Sequence, residues 1–196
     1  MITFTNSLQV NSIQASLFIS NLVFSTSKIL KTVLEACSNQ FDGDPTVLPL
    51  LDDAPREIPR IVLENKNKSM KLEVAPIRLN LFRLRAPNEK DISANEFLKT
   101  AAEILNVLIE EIGADCTRMA VVLERFWSKK NPAREIAQHF CKKRFIERPF
   151  DDPSAFELHS LKKFRFLNML DLNSWVRIKS GSVRTGTCQQ LLDTHC

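Results

Sequence analysis

Glycine is scarce in this chain: 196 residues contain four, Gly43, Gly113, Gly181 and Gly186. A phosphate cradle needs closely spaced glycines so that backbone N–H groups can approach the anion. Neither G-x-G-x-x-G nor G-x-x-x-x-G-K-[ST] occurs, and G-x-S-x-G is missing as well. Nucleotide-cradle and serine-hydrolase signatures are therefore excluded. Cysteine pairs at C-x-x-C spacing are also lacking, and the five cysteines, Cys37, Cys116, Cys141, Cys188 and Cys196, are an odd number. That argues against a disulfide framework and for a reducing, cytoplasmic setting. No long apolar run occurs, because Gln14, Ser16, Ser20 and Asn21 interrupt Ile13 to Phe24. With no basic segment ahead of it, this stretch predicts neither a signal peptide nor a membrane span, and no membrane partner is expected. Neither sign of charge dominates: the net charge is +4, a mildly basic balance that a solvated surface accounts for.

The chain is long enough to bury a core without disulfides or metal. The most informative stretch is Pro59 to Leu84. Ile61 and Leu63 alternate with polar neighbours, a polar turn follows, and Met70, Leu72 and Val74 alternate again. After Pro76 the apolar positions move from even to odd numbers, at Ile77, Leu79 and Leu81. A strand has period two, so the switch requires one extra residue, and a β-bulge at Ala75-Pro76 is expected to supply it.

Around this hairpin the pattern reads β-α-β-β-α-β-α-β-β. Residues 8–20 alternate as a strand with Ile13, Ala15, Leu17 and Ile19 on one face. Ser25 or Ser27 caps a helix to about Phe41, with Ile29, Val33, Cys37 and Phe41 as its apolar stripe. Residues 42–58 form a loop. Ser93 to Glu96 is a capping box opening a helix that Gly113 ends, with Phe97, Ala101, Leu105, Leu108 and Ile112 inward and Leu98, Ala102 and Ile109 beside them. Met119, Val121 and Leu123 continue as a strand with Ala120 and Val122 on its other face, which suggests a central strand. Asn131-Pro132 starts a shorter helix whose basic end, Lys142-Lys143-Arg144, suits its negative pole. Strands follow between Phe156 and Lys179. The expected fold class is α+β: a mostly antiparallel sheet with a bulged hairpin and about three helices packed on one face. Residues 1–184 are expected to form a single domain, with 1–85 and 86–184 as candidate related halves, and 185–196 an irregular tail.

Candidate chemistry is thin. His139 and Cys141 lie two apart, and such positions diverge on a helix, so no metal site is expected. The carboxylate pairs Asp42/Asp44, Asp52/Asp53 and Asp151/Asp152 sit in loops where aspartate makes its own turn hydrogen bonds. No catalytic residue, cofactor site or metal ligand is assigned. The strongest surface signal is cationic: Lys129, Lys130, Arg134, Lys142, Lys143 and Arg144, followed by Lys162 and Lys163, with Phe126, Trp127, Phe140 and Phe145 among them. On one face, these cations could follow a phosphate backbone while a ring stacks a base. Trp175 breaks the alternation of the last strand, where Ser174 takes the inward parity, which marks Trp175 as a candidate interface residue.

The run Leu48 to Leu84, with Glu57-Ile58-Pro59-Arg60-Ile61-Val62-Leu63 and Arg78, resembles a sporadically distributed bacterial protein family of unknown function. In that family a P-E-I-P-R leader precedes a strand, a polar turn and a second strand ending near an arginine. A related strand pattern, R-x-G-h-R-Y-x-N-R, is met here by Arg118 to Phe126, without its polar Arg-Tyr-Asn part. The resemblance implies a bacterial accessory protein of the kind carried by mobile elements, and transfers no catalytic residue. The reading that follows is a non-catalytic protein-interaction module, partnered by itself as a homodimer or by another protein. The alternatives are nucleic-acid binding through 129–165, or a small-ligand or enzymatic domain with a Phe-lined pocket.

Overall fold

A computed structural model of the protein describes residues 8–20, 24–51, 53–86, 88–89, 91–142 and 152–181. It divides into two compact units, Met1–Trp127 and Ser128–Cys196. The sequence predicts a single domain over 1–184, with 1–85 and 86–184 as candidate related halves; the two compact units part after Trp127. The expected tail at 185–196 lies outside the described residues.

The first unit is α+β. Its strands are β1 (Gln9–Ser20), β2 (Thr46–Val47), β3 (Ile61–Glu64), β4 (Met70–Ala75), β5 (Arg78–Leu84) and β6 (Asp115–Phe126), with helices α1 (Thr26–Cys37) and α2 (Ala94–Ile112). They form one antiparallel sheet in the order β2-β3-β4-β5-β1-β6. Helix α1 carries the chain from β1 to β4 by way of β2 and β3, and α2 carries it from β5 to β6. Each crossover skips one strand, so β4-β5-β1-β6 is an interleaved pair of split β-α-β units.

Both helices start where a serine can satisfy an otherwise unpaired N–H. Ser25 Oγ accepts from the amide of Lys28 and Ser93 Oγ from that of Glu96. Gly113 closes α2 at φ 67°, and its amide donates to the Ile109 carbonyl. Helix α1 buries Ile29, Val33 and Cys37, and α2 buries Phe97, Ala101, Ile104, Leu105 and Leu108. Leu98 is exposed, so the buried stripe is rotated toward Ile104. These side chains join Ile13, Ala15, Leu17, Ile61, Leu63, Leu72, Val74, Leu79 and Leu81 from one face of the sheet in a single core.

The parity switch at Pro76 has a different cause from the expected bulge. Strand β4 ends at Ala75, Pro76 and Ile77 form a two-residue turn, and β5 returns with Ala75 opposite Arg78. In such a hairpin, residue i shares its face with residue i+3, so Val74 and Leu79, then Leu72 and Leu81, meet on the core side. Strand β6 is also corrected: among the described residues it pairs only with β1 and lies at the sheet edge, not at its centre.

The second unit contains α3 (Pro132–Phe140) and a separate antiparallel ribbon of β7 (Glu157–Phe166) and β8 (Leu170–Lys179). Pro132 occupies the first turn of α3, and Ala133, Ile136 and Ala137 form its buried face. The ribbon turns through Leu167, Asn168 and Met169, and Met169 N donates to Phe166 O.

Candidate interaction surfaces

The register of the ribbon sorts its side chains by face. Phe164, Phe166, Leu170, Leu172, Val176 and Ile178 share one side. The opposite side holds His159, Lys163, Arg165, Arg177 and Lys179, with Leu161 opposite Trp175 at its middle. Trp175 is 67% exposed there. Lys162 and Lys163 are consecutive in a strand and lie on opposite faces, so a single cationic face containing both does not form. Lys162 Nζ stands 5.3 Å from the ring centroid of Phe164, on the apolar side.

Two carboxylates moderate the cationic face. Glu157 accepts from His159 Nε2 at 2.8 Å and lies 3.8 Å from Arg177 Nε, and Asp171 lies 3.8 Å from Arg165 Nε. The hydrogen bond from His159, helped by the charges of Arg177 and Lys179, holds the Glu157 carboxyl below the usual carboxylate range. Of the remaining cations, Lys130 precedes α3, Arg134 is on its exposed side and Lys142 follows it, all exposed, while Lys129 is half-buried. Lys143 and Arg144 lie outside the described residues.

The second surface is the edge strand β6, which sequence reasoning missed. Its odd residues share the core face of the sheet, since Leu123, Val121 and Met119 stand opposite Ile13, Ala15 and Leu17 of β1. Those β1 residues are buried. Met119, Val121 and Leu123 are 64%, 56% and 38% exposed. The apolar face therefore continues one strand beyond its cover. On the other side of β6, the Arg118 guanidinium sits 3.8 Å from the Phe18 ring centroid. Glu124 Oε2 accepts from Asn11 Nδ2 at 2.8 Å and Ser12 Oγ at 2.9 Å.

The outer face of the central strands carries a polar ladder. Ser16 Oγ donates to Asn80 Oδ1 at 2.8 Å, Gln14 Nε2 donates to Ser16 Oγ at 2.9 Å, and Lys71 pairs with Glu73 at 2.8 Å. Asn80 and Ser16 are 2% and 5% exposed, so their mutual hydrogen bonding meets the requirement of buried polar groups. The even-numbered alignment of Gln14, Ser16 and Asn80 was the available signal for this ladder.

A cleft of about 260 Å³ lies at the start of α2, lined by Arg83, Glu89, Asp91, Ser93, Glu96 and Phe97 among others. Its polar groups serve the fold: Arg83 pairs with Glu89, Asp91 accepts from the amides of Val10 and Ile92, and Ser93 caps the helix. One phenylalanine lines it, so it is not the Phe-lined pocket of the third sequence reading. Among the described residues no three His, Cys, Asp or Glu side chains converge to hold a metal ion. Cys37 is buried in the core, and burial pushes its thiol pKa up, away from the reactive thiolate. No helix among the described residues is long and apolar enough to cross a membrane. Comparison of the chain with family models, curated proteins and solved structures finds no match.

Proposed function

We propose that this chain is a non-catalytic protein-interaction module that associates with itself through the open edge of its six-stranded sheet. One observation supports the reading: the core face passes from buried Ile13, Ala15 and Leu17 onto the exposed Met119, Val121 and Leu123 without a polar break. Monomeric proteins blunt long edge strands with lysine, proline or a covering element, because unpaired backbone groups recruit another strand. Strand β6 contains neither lysine nor proline over its 12 positions, and its charges, Asp115, Arg118, Glu124 and Arg125, leave the apolar run from Met119 to Leu123 uninterrupted. An accessory role, as the sequence resemblance implies, fits a protein that works by contact. The test is mass by light scattering over a concentration series, for the wild type and for Val121→Lys. The wild type is expected to dimerise and the variant to remain monomeric; a wild type monomeric throughout would overturn the reading.

The ribbon favours a second reading, nucleic-acid binding. Lys163, Arg165, Arg177 and Lys179 flank an exposed Trp175 on one face, an arrangement suited to phosphates and one stacked base. Four phosphate contacts predict a log–log salt slope of about −3 for single strands. Fluorescence anisotropy with labelled DNA and RNA should show that slope, and Trp175→Ala should weaken binding. No binding at low salt removes this reading.

A further inference from the structure

Resting on the self-association reading, we infer the pairing itself: a second copy of the chain adds antiparallel along β6 with Val121 opposite Val121, joining two sheets into one. The sheet has two ends. Strand β2, with two residues, offers little to pair, whereas β6 offers 12. Successive residues of a strand point their N–H and C=O groups to opposite sides, and directly opposed residues of an antiparallel pair point the same way. When a strand pairs with its own copy, opposed residues must therefore have the same parity, and one residue faces itself.

The charges of β6 choose which residue that is. With Val121 at the two-fold, Arg118 stands opposite Glu124, and symmetry repeats the pair. Met119 meets Leu123 on the core face and Ala120 meets Val122 on the outer face. A shift to Ala120 at the centre matches Asp115 with Arg125 but sets Arg118 against Val122 and Glu124 against Cys116. A shift to Val122 sets Arg118 against Phe126 and Met119 against Arg125. Only the Val121 centre places the two inner charges against opposite charges and the apolar residues against one another. The backbone supports the same centre. The ladder of β6 with β1 is regular from Arg118 to Glu124 and shifts register just beyond each end, between Phe18 and Ile19 and between Val10 and Ser12. The midpoint of that regular stretch is Val121.

In the single chain both heads lean on β1, Arg118 over Phe18 and Glu124 on Asn11 and Ser12. Both residues are exposed, so a rotamer change brings each head over the new strand. Neither has an oppositely charged partner among the described residues. The pairing gives them one, and covers the flanks of Met119, Val121 and Leu123.

The test is charge reversal. Arg118→Glu places glutamate opposite glutamate at two equivalent positions, and is expected to raise the dimer dissociation constant about twenty-five-fold, at about fivefold for each pair. Glu124→Arg is expected to act in the same direction, and the double variant to recover most of the loss, which also separates interface effects from misfolding. Oxidation of Val121→Cys is expected to cross-link the dimer, because opposed Cα atoms lie within disulfide range. The native Cys116 is about 34 Å from its own copy along the pair and is not expected to cross-link. A dimer that ignores both reversals, or that cross-links through Ala120→Cys or Val122→Cys instead of Val121→Cys, overturns the register while leaving self-association standing. A wild type monomeric at every concentration overturns both.

Discussion

Replacing Gly43 with alanine should destabilise the first unit, and the sign is informative because two effects compete. The glycine has an ordinary backbone angle, so alanine would normally stabilise by about 0.4–1 kcal/mol through a less flexible unfolded chain. Here a Cβ would stand 2.6 Å from the Glu64 carbonyl oxygen and 3.4 Å from its carbon. The obstacle is backbone that cannot swing away: Glu64 is paired with Lys71, and the next amide, Asn65 N, donates to Met70 O. The segment at 42–43 must lift instead. That breaks the bond from Gly43 N to Glu64 O, 3.1 Å, and strains the bond from Lys66 N to Asp42 Oδ1, 2.8 Å. Leaving such groups unsatisfied costs about 1–3 kcal/mol, more than the entropic gain. Urea unfolding should give a lower midpoint with an unchanged slope, and the amides of Gly43 and Lys66 should exchange faster with deuterium. Gly181→Ala in the second unit, where nothing lies within 4 Å, is the control with room for a Cβ and should not destabilise. A midpoint for Gly43→Ala equal to or above the wild type would refute the steric argument.

Three further outcomes follow from the packing. Leu72→Ala empties a wholly buried site and should cost about 2–5 kcal/mol in urea unfolding, against about 0.5 kcal/mol or less for the exposed Leu98→Ala. Asn80→Ala strips Ser16 Oγ of its 2.8 Å acceptor and should cost about 1–3 kcal/mol by the same assay. The amide of Lys66 holds the Asp42 carboxyl pKa below its usual value, so the bond favours folding above the ordinary carboxylate range and is lost as pH falls through the lowered pKa. Exchange at the Lys66 amide, corrected for its intrinsic pH dependence, should quicken over that acid window in the wild type, and the window should vanish in Asp42→Asn.

The parts of the fold legible in the sequence were those with a local physical signature. Both long helices follow from apolar periodicity between a serine cap and, for α2, a glycine stop, and the β3–β4 hairpin follows from two alternating runs about a polar turn. The switch at Pro76 was a true signal with an ambiguous cause. A bulge and a two-residue turn both shift parity by one, and Pro76-Ile77 lacks the Asn-Gly or Gly-rich chemistry that usually marks a tight hairpin. Strand β2 has two residues, too few for any period. The cationic segment was read along the chain instead of by face, although period two already separates Lys162 from Lys163.

Strand β6 is the most instructive departure. An apolar run on both faces, from Met119 to Leu123, is unusual in an exposed edge strand, which natural proteins blunt with charge, proline or a cover. Among the described residues of the single chain it has one neighbour, β1. Propensity and the ladder with β1 are both satisfied there, so the conflict between pattern and position is not local. It concerns what lies beyond the edge. The proposed pairing resolves it, because a second β6 makes each copy an interior strand of a joined sheet. It also gives Arg118 and Glu124 a reason to stand three residues on either side of Val121. On this view the pattern belongs to the assembly, and the charge reversals at Arg118 and Glu124 decide whether the sheet ends at β6 or continues through it.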